Sequence, residues 1–143
     1  MTTYAATSSG AYRANAVLTA SSPQLIVMLY DGARRFLHQA SVAMGERQIA
    51  VAHGRLRAAE LILRHLRNTL DMDQGEIPAN LHAIYQFCLR QCQQARLAQD
   101  PAMLDPVNAM LGQLRESWAT IAAQAEGADA APVGTTGVAE AAA

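Results

Sequence analysis

Along the chain, large apolar side chains stay sparse until residues 19–32, TASSPQLIVMLYDG, where Leu25, Ile26, Val27, Met28, Leu29 and Tyr30 follow one another without a break. Successive residues on a helix point in different directions around its axis, so a run of this kind is apolar on every side. One stripe is enough to serve one core. The surplus must meet another part of the chain or a partner. A helix start precedes the run: Ser22 can cap orphan amide groups, and Pro23 suits a first turn because its missing N–H would be unpaired there anyway.

The spacing of Leu25, Leu29, Gly32, Phe36, Ala40 and Ala43 predicts a first helix from about Pro23 to Met44, with Gly45 as its stop. Ile26, Ala33, Leu37 and Met44 form a second stripe on the adjoining face. A second helix, about Ile49 to Leu70, carries Ala52, Leu56, Ala59, Leu63, Leu66 and Leu70, a bundle seam that leaves Leu61 and Ile62 off its line. The segment DMDQG, residues 71–75, reads as a turn with acidic groups placed where the next helix begins. A third helix follows from Glu76 or Ile77 to Leu97, with Pro78 in its first turn and Ile77, Leu81, Ile84, Tyr85, Cys88, Cys92 and Ala95 inward. Asp100-Pro101 and Asp105-Pro106 repeat one start signal. A proline inside a helix would cost a hydrogen bond, so a short turn at 101–105 should precede a fourth helix from Pro106 to about Ala123. Its inward residues would be Val107, Met110, Leu114, Trp118 and Ile121.

Four helices of about twenty residues, each ~30 Å long and joined by short turns, make an all-α, antiparallel up-down four-helix bundle. Residues 1–124 are expected to form one domain, with 1–20 as a flexible N-terminal arm anchored by Tyr4, Tyr12, Val17 and Leu18. Residues 125–143 are Ala/Gly-rich and should form a disordered tail.

Composition narrows the function. Apolar residues make up 51% of the chain but aromatics only 5%, which suits a helical core of Leu, Ile, Val, Met and Ala. The formal charge is -1, from 12 acidic and 11 basic residues, and all the basic ones are arginines without a run. Electrostatic capture of nucleic acid or of an anionic membrane is not expected. No stretch resembles a secretory signal or a membrane span, and the protein reads as cytoplasmic. Cys88 and Cys92 share a helical face and read first as buried thiols, with metal or redox use as the alternative.

Candidate chemistry is thin. His38, His53, His65 and His82 fall on polar faces and do not converge, and no Glu has a His three residues later, as a di-iron bundle requires. CxxCH, GxxxxGK[ST] and HExxH motifs are missing too, so no catalytic residue, metal or cofactor is expected. Asp31 should tie the first helix to a neighbouring backbone or arginine. Arg34, Arg35, Arg55, Arg57, Arg64 and Arg67 read as dispersed surface charge, or else as a rim that guides an acidic partner. What remains is apolar excess. Burying a Leu, Ile or Phe side chain is worth ~1.5 to 3 kcal/mol, so a few left outside a core favour binding an apolar helix, pairing as a homodimer, or a wide core.

Tyr12, Val17, Thr19, Ala20, Ser21, Pro23, Leu25, Ile26, Met28, Leu29, Tyr30, Asp31 and Gly32 resemble the Y-x4-V-x-TAS-P-x-LI-x-MLYDG signature of the FliS family of flagellin-specific export chaperones, with Ser22 as one extra residue. Ala58, Leu61, Ile62, Leu66, Leu70 and Asp71 are similar to its second-helix pattern. Gly75, Glu76, Ile77, Asn80 and Leu81 resemble its GGEIAxNL turn, and Leu114, Arg115 and Trp118 its LRxxW ending. Gln74, Pro78 and Arg96 depart from the pattern.

The resemblance, over residues 11–121, implies a non-enzymatic cytosolic bundle that binds the C-terminal segment of flagellin, prevents premature polymerisation and assists delivery to the flagellar type III export gate. It also implies that the arm, through Tyr12, Val17 and Leu18, shields the surface until client arrives, and it leaves room for a co-chaperone or assembly regulator. Together with helical spacing it places the client contacts at Tyr12, Val17, Leu25, Ile26, Leu29, Tyr30, Leu61 and Ile62 of a monomer or weak homodimer. The alternative is a homodimeric helical scaffold or adaptor with no flagellin client.

Overall fold

The computed structural model describes residues 22–130, whose regular structure is helical throughout. Helices α1 (Ser22–Gly45), α2 (Ile49–Asn68), α3 (Glu76–Ala98) and α4 (Asp105–Ala130) follow in order, with a 3-10 turn, Pro101–Leu104, leading into α4. The chain divides into one unit of Met28–Glu116 and one of Met1–Val27 with Ser117–Ala143.

Within Met28–Glu116 the helices alternate in direction. A Cβ added to Gly32 of α1 would lie 3.3 Å from Ile62 Cδ1 of α2, which fits a hairpin closed by residues 46–48. Between α2 and α3, Arg67 Nη1 donates to Gln86 Oε1 at 2.7 Å and Arg96 Nη2 donates to Glu60 Oε1. Between α1 and α4, Arg115 Nε donates to Asp31 Oδ1 at 2.9 Å and Arg34 Nε donates to Asn108 Oδ1 at 2.7 Å. In both pairs the partner's number falls as the residue's rises, so neighbouring helices are antiparallel. The expected up-and-down four-helix bundle is what forms.

The core of this unit follows the predicted seams with changes of phase. On α1 Tyr30 is buried together with Gly32, Ala33, Leu37, Ala40, Ala43 and Met44, which are drawn from both expected stripes, while Leu29 and Phe36 are half-buried. α2 buries Ala52, Leu56, Ala59, Leu63 and Leu66, and α3 buries Tyr85, Cys88, Cys92 and Ala95. Leu104, Val107 and Leu111 close the set; Leu111 takes the deep position expected for Met110, which is half-buried.

Ile77, expected inward, is 73% exposed and Pro78 is buried instead. The register explains this. With Arg67 beside Gln86 and α2 ending at Asn68, the first turn of α3 lies past the end of its neighbour. Gly45 is not the residue that reverses the chain after α1: it stays helical, and Arg47 takes the left-handed conformation, φ 61°. The later turns behave as read, with Asp100 Oδ1 accepting from the Ala102 amide at 3.0 Å and Gly75 at φ 96° opening α3.

In the other unit the described residues are 22–27 and 117–130. Residues 23–27 and Trp118 are half-buried. Ala122 is buried while Ile121, expected inward, is 43% exposed, because the smaller residue holds the inward phase. α4 continues to Ala130, beyond the end expected near Ala123. Alanine, Gln and Glu are strong helix formers, and the single Gly127 costs only about 1 kcal/mol. Residues 1–21, with the expected arm, and residues 131–143 of the expected tail lie outside the described residues.

Candidate functional site

An apolar binding surface requires large side chains that the helix packing leaves outside. Leu61 is such a residue: it sits off the α2 seam of Leu56, Ala59, Leu63 and Leu66 and is 64% exposed. Ile62, one step round the helix, is half-buried because the missing side chain at Gly32 lets it settle against α1. Leu29 is also half-buried, so Leu29 and Ile62 offer partial surface while Leu61 stands clear. Leu25 and Ile26, in the other unit, are half-buried as well. Tyr12 and Val17 lie outside the described residues.

Tyr30 differs from the expectation of a client-facing residue. It is fully buried, its ring tilted against Tyr85 with centroids 6.5 Å apart and the two hydroxyls hydrogen-bonded. Three residues before Ala33 and seven before Leu37, it falls in phase with the α1 core line, and α3 supplies a partner for its hydroxyl. Tyr30 therefore fixes α1 against α3 and adds nothing to the outer surface.

The charged groups near these residues are largely tied down. Asp31 accepts from Arg115 through both oxygens, at 2.9 and 3.4 Å, the arginine tie expected of it. Arg34 crosses Gly112, where an added Cβ would come within 3.1 Å of the guanidinium carbon, to reach Asn108. Glu60 is buried and paired with Arg96. Sequence reading missed Glu60 as an interior group, although it adjoins the seam residue Ala59 and is the one carboxylate of α2. Arg55, Arg57 and Arg64 form no ion pair among the described residues.

Further apolar side chains stand outside that sequence reading did not single out. Leu97 is 76% exposed in the last turn of α3, Val42, Ile49, Val51 and Met72 are also exposed, and with them Met28 of the unbroken apolar run. Exposed residues at 28, 31, 35, 38 and 42 recur at alternating three- and four-residue spacing, a signal legible in the sequence only once the core phase is known.

Cys88 and Cys92 are free and fully buried, and loss of hydration pushes both thiols up to about 12, away from the thiolate that nucleophilic or metal chemistry uses. Burial, with the hydrogen bond that the neutral hydroxyl shares with Tyr30, raises Tyr85 as well. Among the described residues no three His, Cys, Asp or Glu side chains group to hold a metal ion, and no helix is long and apolar enough to cross a membrane.

The sequence matches the family model of the flagellar protein FliS over residues 4–125. It is 39% identical over 119 residues to the flagellar secretion chaperone FliS of Vibrio cholerae, covering 82% of this chain and 88% of that protein. To the flagellar secretion chaperone FliS of Salmonella typhimurium it is 34% identical, covering 78% of this chain and 84% of that one. The flagellar secretion chaperone FliS of Bacillus subtilis is 31% identical, with 76% and 80% covered. A helical bundle with apolar side chains left on its outside, matched to that family over nearly all its described length, belongs to the FliS family of flagellar secretion chaperones.

Proposed function

We propose that this chaperone is a non-enzymatic, cytoplasmic protein that binds the C-terminal segment of flagellin, keeps it from polymerising early and assists its delivery to the export gate. The observation that carries this reading is the exposed Leu61 beside half-buried Ile62, on the outside of a bundle whose core is already complete. Leu29 would extend the contact along α1, with Tyr30 bracing that helix from within, and Leu25 and Ile26 of the other unit would supply client contacts of their own.

A flagellin end outside the filament exposes helical apolar stripes, and these are what would aggregate. Docked on the chaperone they are masked. Ordering such a client costs about 2 to 5 kcal/mol of the gross contact energy, which keeps the complex releasable. Tyr12 and Val17 of the arm would act as tethered competitors for the same surface, so client binding and arm release are linked.

Co-purification with the last part of a flagellin tests the reading. A segment of about forty residues reaches ~130 Å when extended, ample to pass round helices ~30 Å long. A stoichiometric complex is expected. A tight homodimer that neither binds nor is dissociated by the segment would support the scaffold instead.

A further inference from the structure

We propose that the groove between α1 and α2 is a docking site for an acidic amphipathic helix on a protein partner, a site whose chemistry differs from the apolar surface at Leu61 and which does not depend on flagellin being the client. Two exposed lines run side by side here. On α1 the exposed positions include Arg35, His38 and Val42; on α2, Val51 and Arg55 are exposed and lead to half-buried Ile62. The α1 line steps by three and then four residues and the α2 line by four and then seven, spacings that keep each line on one helical face and let a third helix lie in the trough of the pair. They face one trough: residues 38, 39, 42 and 43 of α1 meet 51 and 55 of α2 around a cleft of about 290 Å³, and Ile62 meets Gly32 farther along.

The lining says what the occupant must look like. Val42 and Val51 are 46% and 47% exposed at the turn end, and Met28 and Ile62 provide apolar surface at the other. Between these ends stand the cations Arg35 and Arg55. From Met28 to Val42 the track is ~21 Å, about four turns of helix. A partner helix therefore needs apolar anchors about four turns apart with carboxylates between them on the same face.

Charge supports an acidic occupant independently. Asp31 and Glu60 are the only carboxylates of α1 and α2, and both are held in ion pairs with Arg115 and Arg96. Six arginines on the same helices thus face two carboxylates that are already neutralised. Glu46 lines the turn end of the cleft, so the partner's carboxylates belong toward Arg35 and Arg55 and away from Glu46. Gln39, in the cleft wall, has a buried Oε1 without a hydrogen-bond partner among the described residues. Nucleic acid fits less well, since duplex binding relies on a row of cations and here apolar ends bracket two. An anionic bilayer fits less well too, since a groove between helices offers no continuous apolar face to lie on.

Calorimetry on the full chain at low salt tests the proposal, using capped alanine-based helical probes of about eighteen residues. One carries two leucines about four turns apart with glutamates between them; its twin carries glutamines instead. The glutamate probe is expected to bind about tenfold more tightly than its twin, an advantage that shrinks as salt is raised. Arg35→Gln with Arg55→Gln should remove that difference, whereas Arg57→Gln with Arg64→Gln, with helicity checked for both, should leave it intact. Equal binding of the two probes, equal loss from both pairs of substitutions, binding of neither probe, or tighter binding to duplex DNA or to phosphatidylserine vesicles would each overturn it.

Discussion

Cys88 and Cys92 link one residue type to a pH window. Burial holds each thiol protonated up to about 12 in the folded chain, against an ordinary value of 9.0. Because the folded value is the higher one, their contribution to stability is fully present below 9.0 and is lost as pH rises from there through about 12. At mildly alkaline pH a thiol reagent is expected to leave both cysteines unmodified in native protein and to titrate both in denaturant. Native labelling at the denatured rate would show that the thiols are accessible. Arg47 offers a second residue-scale test. A non-glycine side chain in the left-handed region costs about 1 kcal/mol, offset in part by the freedom glycine gains when unfolded. Arg47→Gly should therefore raise stability by about 0.5 kcal/mol, read as a higher denaturant midpoint at unchanged slope.

Between elements, the Glu60–Arg96 pair sets how α2 meets α3. The two side chains are 6% and 19% exposed, so removing one partner strands a poorly hydrated charge while replacing both does not. Arg96→Met alone should cost about 2 to 3 kcal/mol, and adding Glu60→Met should recover most of it. Additive losses in chemical denaturation would mean the pair is not coupled. No sequence rule found this pair, because a glutamate beside a seam looks like any surface residue until its antiparallel neighbour is placed. Helix starts were legible from local chemistry, as at Asp100 and Pro101, since a cap and a proline act within one turn. Depth was not. Met110 and Ile121 attracted the reading by size, but Leu111 and Ala122 hold the inward phase, and Ile77 looked buried because no sequence pattern says where α2 stops alongside α3. The candidate surface was half legible for the same reason. Leu61 showed itself as a leucine off its seam, whereas Tyr30 lay in an unbroken apolar run where two stripes competed, and the phase of Ala33 and Leu37 with the partner Tyr85 sorts it inward.

For the molecule as a whole, the chain belongs to a family of flagellar secretion chaperones and its core closes without Leu61, which is the basis for proposing that this residue meets a client. Burying one such side chain is worth ~1.5 to 3 kcal/mol, so replacing it with a charge should weaken a client that covers it by at least about tenfold. The most direct measurement is a calorimetric titration of a flagellin C-terminal segment into wild-type chain and into Leu61→Asp, with helicity recorded for both. We expect wild type to bind with a negative heat-capacity change, and Leu61→Asp to bind at least about tenfold more weakly at unchanged helicity. Equal affinity of the two proteins, or no binding by wild type, would contradict the claim that this outer face of α2 holds the client.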